Sequence, residues 1–248
     1  MWVVQVDSNK GKVRAVNQDS WVNKTISLYG ENILLCGVAD GMGGHRSGDV
    51  ASRIAVTQLA QGVGSSATEM GLPEALAQGF RDANQKVYHE SLSREECAGM
   101  GTTLTAALIY GDNLFLGHVG DSRAYGYSRH GFARFTRDHS LVEELVRQGG
   151  LTLDDAEKHP QRHMLTKALG IEAETEVDYA MINLIDSCCV LFCTDGLTRL
   201  VSDGEIESVL AGARDRAQAV KQLMDMALDR GAPDNVTIVL VCREGGAE

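Results

Sequence analysis

Residues 33–44 read Ile-Leu-Leu-Cys-Gly-Val-Ala-Asp-Gly-Met-Gly-Gly. A short apolar run that ends in Asp-Gly is typical of a β-strand followed by a turn. An apolar run also borders an aspartate beside Gly, Ser or Asn at three other places, which are Asp121, Asp195 and Asp234. Each aspartate alone is typical of an ordinary turn. The four together predict carboxylates that gather where strands end, along one rim of a sheet.

The order of elements around these aspartates predicts the fold class. Strands are predicted at 13–16, 33–39, 103–110, 114–119, 124–127, 180–184, 188–193 and 236–242, and amphipathic helices at 48–61, 73–92, 203–210 and 217–228. Because strands follow one another without a helix between them, the sheets are expected to be mainly antiparallel. We predict an α+β protein, a four-layer αββα sandwich of two sheets flanked by helix pairs.

Residues 139–170 do not fit this regular pattern. They hold a short helical pattern at 141–148, a Gly-Gly break, an acidic turn and a basic run at 158–163. We interpret this segment as a flap inserted into one domain that spans residues 1–248.

Composition excludes several classes of protein. The 248 residues include 23 Lys and Arg against 34 Asp and Glu, so the net charge of −11 gives no help to nonspecific binding of nucleic acid or of an anionic membrane. No apolar stretch approaches the roughly twenty residues of a membrane span, and no leader pattern is recognised, so we predict a cytoplasmic protein. The six cysteines include no Cys-x-x-Cys pair and are predicted to be reduced and buried.

Gathered carboxylates predict a metal site. Without cations nearby, they repel one another and raise one another's pKa values. Mg²⁺ and Mn²⁺ relieve that repulsion because they prefer carboxylate, carbonyl and water oxygens. Arg14 and Asp19, close together near the N-terminus, are candidates for the same rim, since a guanidinium can bind phosphate oxygens with two hydrogen bonds.

Taken in order, these motifs resemble the metal-dependent PP2C-type (PPM) protein phosphatases in their compact bacterial form. The resemblance rests on Arg14-x-x-Asn-Gln-Asp19, Asp40-Gly-Met-Gly-Gly-His45, Gly99-Met-Gly-Thr-Thr103, Gly120-Asp-Ser-Arg123, Asp195-Gly196 and Asp234-Asn235. The ordered set covers nearly the whole chain and is specific, although each motif alone is weak. It implies the same sandwich of two antiparallel sheets, with a flap beside the active site.

The resemblance also implies roles for single residues. Asp40 would bridge two metal ions, with the Gly41 carbonyl on the first and Asp195 and Asp234 on the second. Asp121 would hold a third, weaker ion together with Asp195. Arg14 would bind the substrate phosphate, and Asp19 would orient metal-bound water. The cofactors implied are two or three Mn²⁺ or Mg²⁺ ions.

Two positions depart from the family pattern. Gln18 stands where many members have Glu, and Met42 stands where eukaryotic relatives have a His proposed as the general acid. A glutamine brings no charge, so metal affinity or the acidity of bound water would differ. Two candidates remain for the group that donates a proton to the leaving group: His45 and a metal-bound water.

The activity implied is hydrolysis of phosphoserine and phosphothreonine in proteins by a hydroxide that bridges the metals. The expected partners are phosphoprotein substrates and a cognate bacterial Ser/Thr kinase that the enzyme opposes. The Cys-x5-Arg spacing from Cys193 to Arg199 lacks a Gly-rich anion cradle, so thiol catalysis is rejected. Two rivals remain, an idle phosphoprotein-binding module and a phosphatase dedicated to one anti-sigma antagonist.

Overall fold

The computed structural model describes residues 1–28, 30–43, 47–185 and 187–244. The strands are β1 (Trp2–Asn9), β2 (Asp19–Leu28), β3 (Glu31–Met42), β4 (Gly101–Thr102), β5 (Leu104–Tyr110), β6 (Asn113–Val119), β7 (Arg123–Ser128), β8 (Gly131–Arg134), β9 (Asp178–Asn183), β10 (Ser187–Cys193) and β11 (Val236–Arg243). The helices are α1 (Gly48–Met70), α2 (Leu72–Ser93), α3 (Leu141–Arg147), α4 (Leu153–Lys158), α5 (Asp195–Thr198), α6 (Asp203–Gly212) and α7 (Arg216–Asp229).

The strands form two sheets with antiparallel pairing. One sheet has the order β1-β11-β10-β7-β8, and the other has the order β2-β3-β5-β6-β9 with the short β4 paired to β3. Strands β1 and β2 are consecutive in the chain but lie in different sheets. The segment between them, residues 10–18, therefore crosses from one sheet to the other at one end of the sandwich.

The hydrophobic core has three layers, as the alternation of strand side chains requires. In β3, Ile33, Leu35 and Ala39 pack with helices α1 and α2, whereas Cys36 and Val38 face the other sheet. In β11, alternate residues likewise pack with α6 and α7 or lie between the sheets. The predicted four-layer αββα sandwich is confirmed.

The predicted elements differ from the observed ones mainly at the N-terminus. Residues 13–16, predicted as a strand, form turns and bends, and the edge strands β1, β2 and β8 were not predicted. In β2, only Val22 and Ile26 are buried, so the regular apolar alternation of a half-buried strand is missing. The predicted helix at 48–61 continues to Met70 and ends at Gly71, which has a positive φ of 83°.

The prediction that the cysteines are reduced is wrong for one pair. Cys189 and Cys242 form a disulfide, because they lie directly opposite each other on β10 and β11. A separation of 53 residues hides this proximity in the sequence. Cys36, Cys97 and Cys193 are free and buried, as predicted, and the side chain of Cys188 lies outside the described part of the chain.

The flap predicted at 139–170 carries the short helices α3 and α4. Both of its ends are tied to the sandwich by backbone hydrogen bonds: His139 N donates to Gly120 O at 2.8 Å, and Thr102 exchanges two bonds with Leu169. That the chain is one domain with this flap stays a prediction. Among the described residues, no helix has both the length and the apolar composition that crossing a bilayer requires.

Candidate metal centre and active site

The four strand-end aspartates meet at one rim of the sandwich. Asp40 lies near the end of β3, Asp121 follows β6, Asp195 follows β10, and Asp234 precedes β11. They line a cleft of about 710 Å³ together with two arginines, Arg14 and Arg199. The convergence predicted from the sequence is therefore observed.

Neighbouring hydroxyl groups fix the position of Asp40. Its backbone N–H donates to Thr103 Oγ1 at 2.8 Å, and its carbonyl accepts from Thr102 Oγ1 at 2.9 Å. Thr103 Oγ1 lies 2.8 Å from Ser122 Oγ, beside Asp121. The two threonines thus support the site and connect the backbone of Asp40 to the loop that holds Asp121.

Close backbone approach explains the glycines that follow two of the aspartates. A Cβ atom on Gly41 would lie 1.9 Å from Gly48 O, and one on Gly196 would lie 1.9 Å from Asn235 O. Any side chain at either place would force the backbone segments apart. The Asp-Gly pairs therefore reflect packing of the rim as well as turn formation.

Burial and mutual repulsion dominate the electrostatics of the cluster. Burial raises the pKa of both Asp40 and Asp121 well above the ordinary value, and neighbouring carboxylates raise it further. The pKa of Asp195 is also raised, first by burial. Its Oδ1 atom is buried and accepts no hydrogen bond from the described residues. A polar atom in that condition is costly unless another group compensates it.

Asp19 lies directly opposite Asp40 in the pairing of β2 with β3. Its Oδ2 atom accepts hydrogen bonds from Thr194 Oγ1 at 2.9 Å and from Thr237 Oγ1 at 2.7 Å. Burial raises the pKa of Asp19 to about 7, although the two hydroxyls oppose that rise. Asp19 is not part of the cleft lining, so it supports the rim from behind.

Two arginines bring positive charge to the cluster. Arg14 Nη2 donates to Asp234 Oδ2 at 2.8 Å, and its side chain is half exposed. Arg199, four residues after Asp195, forms an ion pair with that aspartate and lies 3.5 Å from Asp121 Oδ2. Sequence reasoning found Arg14 but considered Arg199 only for the thiol mechanism it rejected. The i,i+4 spacing from Asp195 was the signal that could have found it.

Asn235 is a second residue whose role the sequence reading missed. Its Nδ2 atom donates to the carbonyls of Lys10 and Val16 at 2.9 and 3.0 Å, and its Oδ1 atom accepts from Gln18 N at 2.8 Å. The side chain is buried. These three bonds hold the irregular segment that carries Arg14, which explains why residues 13–16 do not form a strand.

The donor set suits hard divalent cations. The cluster offers carboxylate oxygens, a buried Oδ1 atom without a partner, and raised pKa values that a cation would lower. As the side chains stand, no three acidic, histidine or cysteine groups among the described residues converge on one point. Water molecules commonly fill the coordination positions that protein oxygens leave open on Mg²⁺.

Comparison with known proteins identifies the family. The sequence profile described as Protein phosphatase 2C matches residues 10–236, most of the chain. The chain belongs to the protein phosphatase 2C family. The family, fold class and enzyme class predicted from the sequence are thereby confirmed.

Relatives of this phosphatase match over nearly their full length. The serine/threonine phosphatase stp of Listeria monocytogenes serotype 4b is 35% identical over 240 residues, which are 96% of this chain and 94% of the relative. The crystal structure of Stp1 from Staphylococcus aureus has a TM-score of 0.89 at 32% identity and covers 99% of this chain and 96% of that one. The PstP catalytic domain, solved with 2 manganese ions, has a TM-score of 0.82 at 32% identity and covers 97% of each chain.

The two departures from the protein phosphatase 2C pattern both lie at the cleft. Gln18 and Met42 contribute to its lining. The Gln18 carbonyl also accepts hydrogen bonds from Gly41 N at 3.1 Å and from Ser52 Oγ at 2.6 Å, so this residue holds the glycine turn in place. His45, one of the two predicted proton donors, lies outside the described residues.

The structure also bears on thiol chemistry in this phosphatase. Cys193 is fully buried and packs in the core between β10 and the helices. Burial raises the pKa of its thiol to about 12, so it is uncharged near neutral pH. Cys193 does not line the cleft, which agrees with rejecting it as a nucleophile.

Proposed function

We propose that this protein phosphatase hydrolyses phosphoserine and phosphothreonine in proteins with the help of two or three Mn²⁺ or Mg²⁺ ions held by the carboxylate cluster. The observation that carries the proposal is the meeting of Asp40, Asp121, Asp195 and Asp234 at one cleft, with an unpartnered oxygen on Asp195. Relatives named serine/threonine phosphatases and a neighbour solved with manganese support the substrate class and the metal requirement.

The ligands would be divided among the ions as follows. Asp40 and the Gly41 carbonyl would hold one ion, and Asp40, Asp195 and Asp234 would hold the second. Asp121 would hold a third ion together with Asp195. When bound, such ions act as Lewis acids that lower the pKa of water and neutralise phosphate oxygens. An idle binding module would gain nothing from this costly arrangement of buried carboxylates.

Arg14 would bind and orient the substrate phosphate. Its half-exposed guanidinium lies at the cleft and is anchored to Asp234 Oδ2 by one hydrogen bond. The remaining N–H groups can donate to the equatorial oxygens of the phosphate while water attacks phosphorus in line with the leaving serine or threonine oxygen. Asp19, held by two threonine hydroxyls behind the rim, would accept a hydrogen bond from water at the site.

The flap would contact the phosphoprotein around the phosphorylated residue. His163, Thr166 and Lys167 of the flap line the same cleft as the carboxylates. Loops beside a rigid site are the usual place for substrate contacts. We propose that these contacts help select the substrates, and that a bacterial Ser/Thr kinase supplies them.

The test is metal-dependent turnover of a phosphothreonine peptide. Protein stripped of metal should be inactive and should recover activity when Mn²⁺ or Mg²⁺ is added. Asp195→Asn should lower kcat/KM by at least about 100-fold, because the ligand loses its charge. The matched control is Asp229→Asn, which makes the same change at an exposed residue that does not line the cleft. Full activity in the presence of excess chelator, or in Asp195→Asn, would contradict the proposal.

A further inference from the structure

Arg199 contacts three of the four carboxylates in the cluster. Its closest partner is Asp195, Nη2 lies 3.5 Å from Asp121 Oδ2, and Nη1 lies 4.0 Å from Asp234 Oδ2. The side chain is 32% exposed, so it lies mostly within the wall of the cleft. Arg14, by comparison, pairs with Asp234 alone and is 51% exposed. Both arginines thus reach Asp234 Oδ2, but of the two only Arg199 also contacts Asp121 and Asp195.

The local backbone fixes Arg199 in this place. Arg199 caps the C-terminal end of α5, and its backbone N–H donates to the carbonyl of Asp195 at 2.9 Å. Residues four positions apart on a helix share one face, so the guanidinium and the Asp195 carboxylate lie side by side. The guanidinium thus lies beside the carboxylate that Asp195 presents to the cleft.

The charge of Arg199 acts on the same two carboxylates that were assigned to the third ion. The guanidinium is paired with Asp195 and its Nη2 atom lies 3.5 Å from Asp121 Oδ2, so it contacts both carboxylates at once. A guanidinium stays charged at every physiological pH. A divalent ion that approaches Asp121 and Asp195 therefore meets a fixed positive charge, and it must displace the guanidinium from oxygens that both would use.

We propose that Arg199 is a tethered counter-cation that competes with the divalent ion at Asp121 and Asp195 and so sets a weak affinity for that ion. The inference rests on the proposed function, because it presupposes that the cluster binds metal. It goes beyond that function by assigning the metal affinity of one site to a residue that is not a ligand. Arg199 is a positioning residue in this account, since it acts on the carboxylates and not on the phosphate.

Counting bound Mn²⁺ tests the inference without reference to activity. The electron paramagnetic resonance signal of free Mn²⁺ is followed while the ion is titrated into the wild type, Arg199→Gln and Arg199→Lys. We expect the weakest binding step of Arg199→Gln to tighten about tenfold, because a positive charge that contacts both Asp121 and Asp195 is removed in a partly hydrated site. Arg199→Lys keeps the charge, so the affinity of its weakest Mn²⁺ binding step should stay within about threefold of that of the wild type.

Two further variants complete the experiment. Arg81→Gln loses the same charge on helix α2, outside the cleft, and should leave every binding step unchanged. Arg199→Met replaces Arg199→Gln as the neutral variant if the latter fails to fold. Equal or weaker Mn²⁺ binding by the neutral variant, while the wild type binds Mn²⁺, would overturn this inference alone. A wild type that binds no Mn²⁺ would overturn the proposed function and the inference together.

Discussion

At the scale of single residues, Asn235 supports the active site through hydrogen bonds that its position after Asp234 in the sequence does not suggest. Its amide joins β11 to the segment between β1 and β2 through hydrogen bonds to Lys10, Val16 and Gln18. That segment carries Arg14, whose side chain reaches the cleft. A residue that looks in the sequence like half of a common Asp-Asn turn therefore positions a phosphate-binding candidate.

Asn235→Ala should destabilise the protein and weaken phosphate binding together. Loss of the amide leaves buried backbone groups without partners, so the free energy of unfolding should fall by about 2–4 kcal/mol in urea titrations. Activity at saturating metal should also fall, because Arg14 is less well placed. Asn183→Ala is the matched control. The exposed Asn183 side chain accepts a hydrogen bond from Ile185 N, so this substitution should change the free energy of unfolding by no more than about 0.5 kcal/mol. Equal effects of the two substitutions would count against the role assigned to Asn235.

At the scale of elements, the disulfide joins two interior strands of one sheet. Cys189 on β10 and Cys242 on β11 are opposite each other and 53 residues apart in the chain. A disulfide that closes a loop of that length restricts the unfolded chain and raises the free energy of unfolding by up to about 4 kcal/mol. A reductant should therefore lower the melting temperature of the wild type.

The control for this prediction is Cys242→Ser, whose melting temperature the reductant should leave unchanged. Alkylation under denaturing conditions without reductant should label two fewer cysteines in the wild type than alkylation after reduction. If both treatments label the same number, the disulfide is absent and the original prediction of reduced cysteines stands.

Sequence patterns predicted elements well where burial is regular. Strands β3, β5, β6 and β11 lie in the middle of the two sheets, and their continuous apolar runs were recognised within a few residues. The edge strands β1 and β2 were missed, because β2 buries only two side chains and β1 is half-buried throughout, whereas the edge strand β9 was predicted at 180–184. The prediction of a strand at 13–16 is wrong because the conformation of this segment depends on Asn235, more than 200 residues away.

The candidate site was predictable to the extent that its residues carry a recognisable local pattern. The four aspartates follow or precede apolar runs, so both their strand-end positions and their convergence could be predicted. Arg199 carries a local signal, its i,i+4 spacing from Asp195, but that spacing alone does not show that the pair lies at the cleft. Asn235 carries no such signal, since its role comes from contacts made only after the chain has folded. The disulfide belongs to the same class of feature, because strand register decides it.

At the scale of the whole molecule, the acidic cluster makes stability depend on pH when metal is absent. Burial raises the pKa of Asp19 from 3.8 to about 7. Between these values the folded protein binds more protons than the unfolded chain does, so the free energy of unfolding falls as pH rises through this window. The net charge of −11 acts in the same direction by self-repulsion.

Asp19→Asn should remove part of this dependence, because an amide cannot ionise. In excess chelator, the stability of the variant relative to the wild type should increase from pH 5 to pH 8 in urea titrations. His118, whose pKa burial lowers to about 4, destabilises the fold as pH falls below its ordinary value. That effect is common to both proteins and cancels in the difference. A difference that does not change with pH would show that Asp19 titrates normally.

The central claim is that the four carboxylates at the rim hold the divalent ions of a phosphatase. Crystals soaked in Mn²⁺ and measured at the manganese absorption edge test it most directly. The account predicts anomalous peaks about 2.0–2.3 Å from the carboxylate oxygens of Asp40, Asp195 and Asp234, with Asp40 shared between two ions. Manganese bound only at exposed acidic residues outside the cleft, with none at Asp40, would contradict it.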